Sequence, residues 1–157
     1  MAGIQLSTAG VKVYYAAETS KGTRPTKGWS QISEVKSVPE LNPEPSTLQT
    51  TTLEETEWHT YIPGLKDLGG ALTFTANLTE DSMTEWDGVV EAAETAESSG
   101  LATWFVIVIP GLTKSLYFTG KPSPMGLPGM EVDSVLETNL YITPTGVPKW
   151  DAKPTIA

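Results

Sequence analysis

The residues that could carry chemistry are few. His59 is the single histidine, and a Ser-His-Asp triad or a histidine-based metal site would have to pass through it. It sits in Glu57-Trp58-His59-Thr60-Tyr61, with neither an HExxH frame nor a glycine elbow around it, so it reads as a loop histidine. Glu54, Glu55 and Glu57 could be imagined as a glycosidase pair, but adjacent glutamates on an extended segment point to opposite faces and do not converge on one bond. Asp81, Glu85 and Asp87 lack the glycine and ligand spacing of an EF-hand loop. Lys66-Asp67 and Gly69-Gly70 lack the Gly-Lys-Ser/Thr ending of a phosphate loop. With 0 cysteines there is neither a disulfide framework nor a thiolate site. The sequence therefore predicts a protein that is not an enzyme, with no catalytic, cofactor-binding or metal residues. Trp29, Trp58 and Trp150 fall in loops or the tail, where exposed indoles mark a partner surface or a sugar platform.

The elements that must position these side chains are short and mostly extended. A chain of 157 residues fits one domain and can bury a core without covalent staples. Its 12 prolines and 14 glycines, with many threonines, suit short strands joined by turns. The net charge of −9 argues against sequence-independent nucleic-acid binding, which needs a basic face. No apolar run reaches membrane-spanning length, and no basic stretch precedes a hydrophobic one at the start, so we expect a cytoplasmic origin without a cleaved signal.

An arm over Met1 to Gly10 leads to a strand at Val11 to Ala16, and a loop from Thr19 to Gly28 holds the one arginine, Arg24. Ile32 to Val38 alternates as a second strand, stopped by Pro39. Thr47 to Leu53 reads as strand, and Glu54 to Leu65 as a long loop or hairpin tip. Ala71 to Leu78 alternates most cleanly, with Leu72, Phe74, Ala76 and Leu78 inward. A helix over about residues 82–98 starts at a Ser82-to-Glu85 capping box, buries Met83, Trp86, Val90 and Ala93, and ends at Gly100. Thr103 to Ile109 and Lys114 to Thr119 form a hairpin, Lys121 to Met130 crosses irregularly, and Val132 to Ile142 is the last strand, with Leu136, Leu140 and Ile142 on one face. A tail over residues 147–157 is expected to reach beyond the domain of residues 1–146.

Several of these segments, taken in order, resemble the major tail tube proteins of long-tailed, siphovirus-type bacteriophages. They are Pro43-Glu44-Pro45, Thr50 to Glu54, Trp58 to Asp67, Gly69 to Asn77, and Val132 to Gly146. The resemblance implies a mainly β fold, a β-sandwich with one flanking α-helix, a long inter-strand loop over about residues 39–66, and terminal arms. It further implies hexameric rings stacked into a hollow tube whose bore conducts DNA during ejection without binding it specifically. Partners would be further copies of the chain, a tape measure protein, and tail-tip or terminator proteins. The setting would be the virion tail, built in the host bacterial cytoplasm and by default flexible and non-contractile. Pro43, Pro45, Leu53, Trp58, His59, Tyr61 and Pro63 would make the intersubunit loop, and the alternating residues of Ala71 to Leu78 and Val132 to Ile142 the wall. Two other readings fit the same residues: a carbohydrate-binding β-sandwich that uses its tryptophans, and the tube subunit of a contractile injection system.

Overall fold

A computed structural model of the chain describes residues 6–42, 45–65 and 70–155. Seven strands follow one another round a curled antiparallel sheet. They are β1 (Lys12–Ala17), β2 (Ser30–Ile32), β3 (Val35–Ser37), β6 (Leu72–Asn77), β7 (Thr103–Val108), β8 (Lys114–Pro122) and β9 (Glu137–Pro144), in the order β2-β1-β7-β8-β9-β6-β3. The two end strands, β2 and β3, are consecutive in sequence. Only Ser33 and Glu34 separate them, and so short a link holds the sheet ends within about 10 Å. The sheet is thus a nearly closed barrel. The β-rich fold with one flanking helix agrees with expectation, and the layers of the expected sandwich are continuous through this single sheet.

The junction at Glu34 replaces the expected continuous strand from Ile32 to Val38. Glu34 takes a left-handed backbone conformation (φ 65°), which turns the chain from β1 to β6. Three contacts hold the turn: the Asn77 N–H donates to the Glu34 carbonyl at 2.9 Å, Asn77 Nδ2 to Glu34 Oε2 at 3.2 Å, and the Ser33 N–H to Glu85 Oε1 at 2.9 Å. Glu85 therefore braces the barrel seam rather than capping its own helix.

The helix α1 (Glu80–Ser98) begins earlier than the sequence suggests. Thr79 is its cap, with Thr79 Oγ1 accepting from the Ser82 N–H at 3.0 Å and Ser82 Oγ accepting from the Thr79 N–H at 2.8 Å. Replacing Thr79 with Ala should lower unfolding free energy by about 1 kcal/mol, read as a shift in the urea midpoint with unchanged slope. Trp86, Val89, Val90, Ala93 and Ala96 form the buried stripe. Met83 does not join it: at 3.6 residues per turn it lies about 60° round the helix from Trp86, just beyond Val90 at the margin of the stripe, and it is 42% exposed.

Inside the barrel, Val13, Phe74, Phe105, Phe118, Leu140 and Ile142 pack against Trp86 and Val89 of the helix. Phe105 and Phe118 stack with centroids 5.5 Å apart. Strand alternation sends Tyr14, Val106 and Tyr117 to the outer face, where they form a second small core with Ala16 and Trp29. Trp29 is buried there and leans on the Tyr117 ring at 5.8 Å, so it is a packing residue and not an exposed indole.

Two further boundaries differ from expectation. The last barrel strand, β9, starts at Glu137, leaving Val132, Val135 and Leu136 exposed ahead of it, while Thr138, Leu140 and Ile142 face inward. The tail does not leave the domain within the described residues: β10 (Lys149–Ala152) pairs antiparallel with the start of β8 and continues the line of β9 along the same edge. Of the N-terminal arm, residues 1–5 lie outside the described residues, and Leu6 lies near the turn at Gly111.

Candidate assembly surface

The long segment between β3 and β6 contains a separate two-stranded ribbon. Its strands, β4 (Thr47–Gln49) and β5 (Tyr61–Pro63), pair antiparallel with Leu48 opposite Ile62 and Gln49 opposite Tyr61. All six strand residues are exposed, and the strands pack substantially only on each other. Leu53 is fully exposed and Trp58 is 75% exposed toward the tip, and Leu65 is exposed at the base. A lone two-stranded hairpin is marginal in water, and an apolar one that stands free of its own domain is a surface awaiting cover.

Local polar contacts shape the ribbon. Glu55 Oε1 accepts the N–H groups of Thr56, Glu57 and Trp58 at 3.1, 3.0 and 3.3 Å. The bonds from Glu57, Trp58 and Thr56 hold its carboxyl below the usual range against a weaker opposing effect of desolvation. Thr50 and Thr60 hydroxyls meet at 2.9 Å, and Gln49 Nε2 lies 2.8 Å from His59 Nδ1. His59 and Tyr61 rings sit 6.4 Å apart. Thus Leu53, Trp58, His59, Tyr61 and Pro63 share one projecting ribbon, Pro45 lies at its base, and Pro43 lies outside the described residues, as do Lys66, Asp67 and Gly69. Glu54 and Glu57 are at its tip, with Glu55 committed to the turn.

The three tryptophans singled out in the sequence do not form a platform: Trp29 is buried, Trp58 is on the ribbon, and Trp150 is on β10. Trp150 instead lines a cleft of about 830 Å³ where the end of the helix, the turn before β7, the β9–β10 turn and β10 meet. Leu101, Trp104 and Val147 give it apolar walls, and Lys21, Lys121 and Lys149 also line it. Sequence reasoning missed this cleft because it joins residues from four distant segments. Arg24 lies above the Tyr117 ring at 4.1 Å and pairs with Asp151 at 2.6 Å, which fastens the loop after β1 to β10.

Glu18 anchors the inner wall of the cleft. Its carboxylate accepts the Trp104 indole N–H at 2.9 Å and the Ala102 N–H at 2.8 Å. Burial pushes its pKa up, but the bonds from Trp104, Ala102 and Gly22 outweigh burial and hold it below the ordinary glutamate value. A depressed folded pKa means this stabilisation is present above the ordinary value and is lost as pH falls through the folded one. Melting temperatures between pH 7 and 3 should therefore fall more steeply for wild type than for Glu18→Gln.

The outer face of β6 and β9 is polar. Thr73 lies opposite Tyr141, Thr75 opposite Asn139 and Asn77 opposite Glu137, and Lys36 pairs with Glu137 at its margin. Most of the acidic residues of α1 lie away from the buried stripe, and Glu97 is held by Lys121 at 2.9 Å. No helix among the described residues is long and apolar enough to cross a membrane.

No protein-family profile matches the chain, and no curated protein matches it in sequence. Its fold is that of a chain in the cryo-EM structure of the anti-feeding prophage baseplate, 6-fold symmetrised. The two superpose with a TM-score of 0.61 at 12% identity, over 97% of this chain and 98% of that one. Agreement over nearly the whole of both chains places this β-rich barrel with its single helix in an architecture that also occurs in that baseplate.

Proposed function

We propose that this chain is a structural subunit of a phage-type tail tube, assembling as rings of six that stack into a hollow conduit and performing no chemistry. The observation that carries the reading is the ribbon of β4 and β5, exposed on both faces and bearing the uncovered side chains of Leu48, Leu53, Trp58, Tyr61 and Ile62, projecting from an otherwise packed barrel. Subunits that live in assemblies expose such surfaces because neighbours cover them. The shared fold with a chain of a six-fold baseplate supports the same reading.

In that assembly the Thr, Asn and Tyr face of β6 and β9 suits the bore. Among the described residues the lysine at its margin, Lys36, is already paired, and the acidic balance of the chain repels phosphate. The helix, packed on the opposite face of the sheet, braces the outside. Negative-stain microscopy of concentrated protein tests the proposal: six-fold rings or hollow tubes are expected, and monomers at every concentration would overturn it. The same subunit would serve a long-tailed phage or a contractile injection system, and co-purification with a sheath protein distinguishes the two.

A further inference from the structure

Building on the assembly reading, we infer that the cleft beside β10 receives the acidic, aromatic ribbon of a second copy of this chain. Two exposed features of the described residues match in chemistry. The ribbon tip carries Glu54, Glu55 and Glu57 beside the exposed Leu53 and Trp58, and residues 46–65 contain neither lysine nor arginine. The cleft has apolar walls, and its lining holds Lys21, Arg24, Lys121 and Lys149 against Glu18, Glu97 and Asp151, with Arg24 paired to Asp151 and Lys121 to Glu97. Lys21 and Lys149 have no ion-pair partner among the described residues. A volume of about 830 Å³ lies within the range that accepts large aromatic and aliphatic side chains.

Register shows where the two features stand. Thr103 pairs with Gly120, Gly120 with Pro144, and Ile142 with Leu72, so the cleft and the base of the ribbon are at the same end of the barrel. Strand β9 separates them round its wall. A ribbon running from Thr47 to Glu54 spans roughly 25 Å when extended, enough to reach across to an adjacent subunit. A neighbour at the same level, rotated about the barrel direction, brings ribbon to cleft. Such a contact joins two different surfaces, the head-to-tail type that closes into a ring.

The test uses full-length variants whose folding is checked by thermal melting. Lys21→Glu with Lys149→Glu alters the cleft, and Glu54→Lys with Glu57→Lys alters the ribbon. Each pair alone should raise the concentration needed for assembly by ~10-fold or more, and an equimolar mixture should restore it, because each altered ribbon then meets an altered cleft. Lys12→Glu with Lys27→Glu makes the same charge change outside the cleft and should assemble like wild type. The absence of cysteine also permits a direct reading: Glu57→Cys and Lys149→Cys chains of different mass, mixed with a short bismaleimide, should give a heterodimer.

If wild type assembles but mixing restores nothing and no heterodimer forms, the cleft is not the receiving site and the tube reading stands. If wild type stays monomeric yet the heterodimer forms, the pairing stands and the tube reading falls. Monomers without heterodimer overturn both.

Discussion

Excising residues 47–63 should leave a barrel that melts within about 3 °C of wild type and no longer forms rings or tubes. The small thermal effect follows from what the ribbon touches. Its strand residues are exposed and pack substantially only on each other, so their removal takes little apolar area out of the core. The cut is clean because the Gly64 N–H donates to the Ser46 carbonyl, and the Leu65 carbonyl accepts from the Ser46 N–H at 3.2 Å and from its hydroxyl at 3.0 Å. A single glycine can therefore join Ser46 to Gly64. Assembly is lost because Leu48, Leu53, Trp58 and Ile62 go together, and aromatic anchors of this kind dominate interface energetics. Circular dichroism and sedimentation velocity read the two effects separately. A deletion that unfolds the chain would make the segment part of the core.

Trp86→Ala is the second large effect. The side chain is 2% exposed, fills the space between helix and barrel, and donates its indole N–H to the Ser123 carbonyl at 2.9 Å. Truncation leaves a cavity and a carbonyl without its donor, at a cost of about 3–5 kcal/mol. For a domain of this size that is a fall of roughly 6–20 °C in Tm. Met83→Ala is the natural control and should change stability by no more than about 0.5 kcal/mol. Equal costs at the two positions would mean that the helix is rotated relative to the packing described.

The contrast between Trp86 and Met83 shows how far the sequence was legible. Residues whose burial follows from strict alternation, Leu72, Phe74 and Ala76 on β6, were readable because period two has one solution. The helix was readable as an element, and Trp86, Val90 and Ala93 of its expected stripe are buried. The errors are at its start: both Thr79 and Ser82 can cap, and Met83, in the first turn at the margin of the stripe, stays exposed. The break at Glu34 left no sequence signal, since a glutamate gives no hint of a left-handed backbone and the conformation is imposed by Asn77 and the sheet around it. The tail strand β10 was unreadable for a related reason: Lys149 to Ala152 alternates over only four residues, all of them exposed, and its place is set by the edge of β8. The ribbon was partly readable, from the β-branched run at Thr50 to Thr52 and the aromatic cluster from Trp58 to Tyr61. The cleft was not, because no local pattern joins Lys21, Leu101, Trp150 and Val147.

The order in which strands find their partners has a consequence for synthesis. Ala17 of β1 waits for Thr103 of β7, and Leu72 of β6 waits for Ile142 of β9, so the barrel cannot close until most of the chain has left the ribosome. The ribbon needs no such wait. Thr47 and Pro63 are near in sequence, and hairpins of that span form in microseconds. On a growing chain the ribbon therefore forms and opens rapidly before the barrel that carries it can close. The glutamates at its tip then keep nascent copies apart by mutual repulsion while the rest of each subunit is still being made.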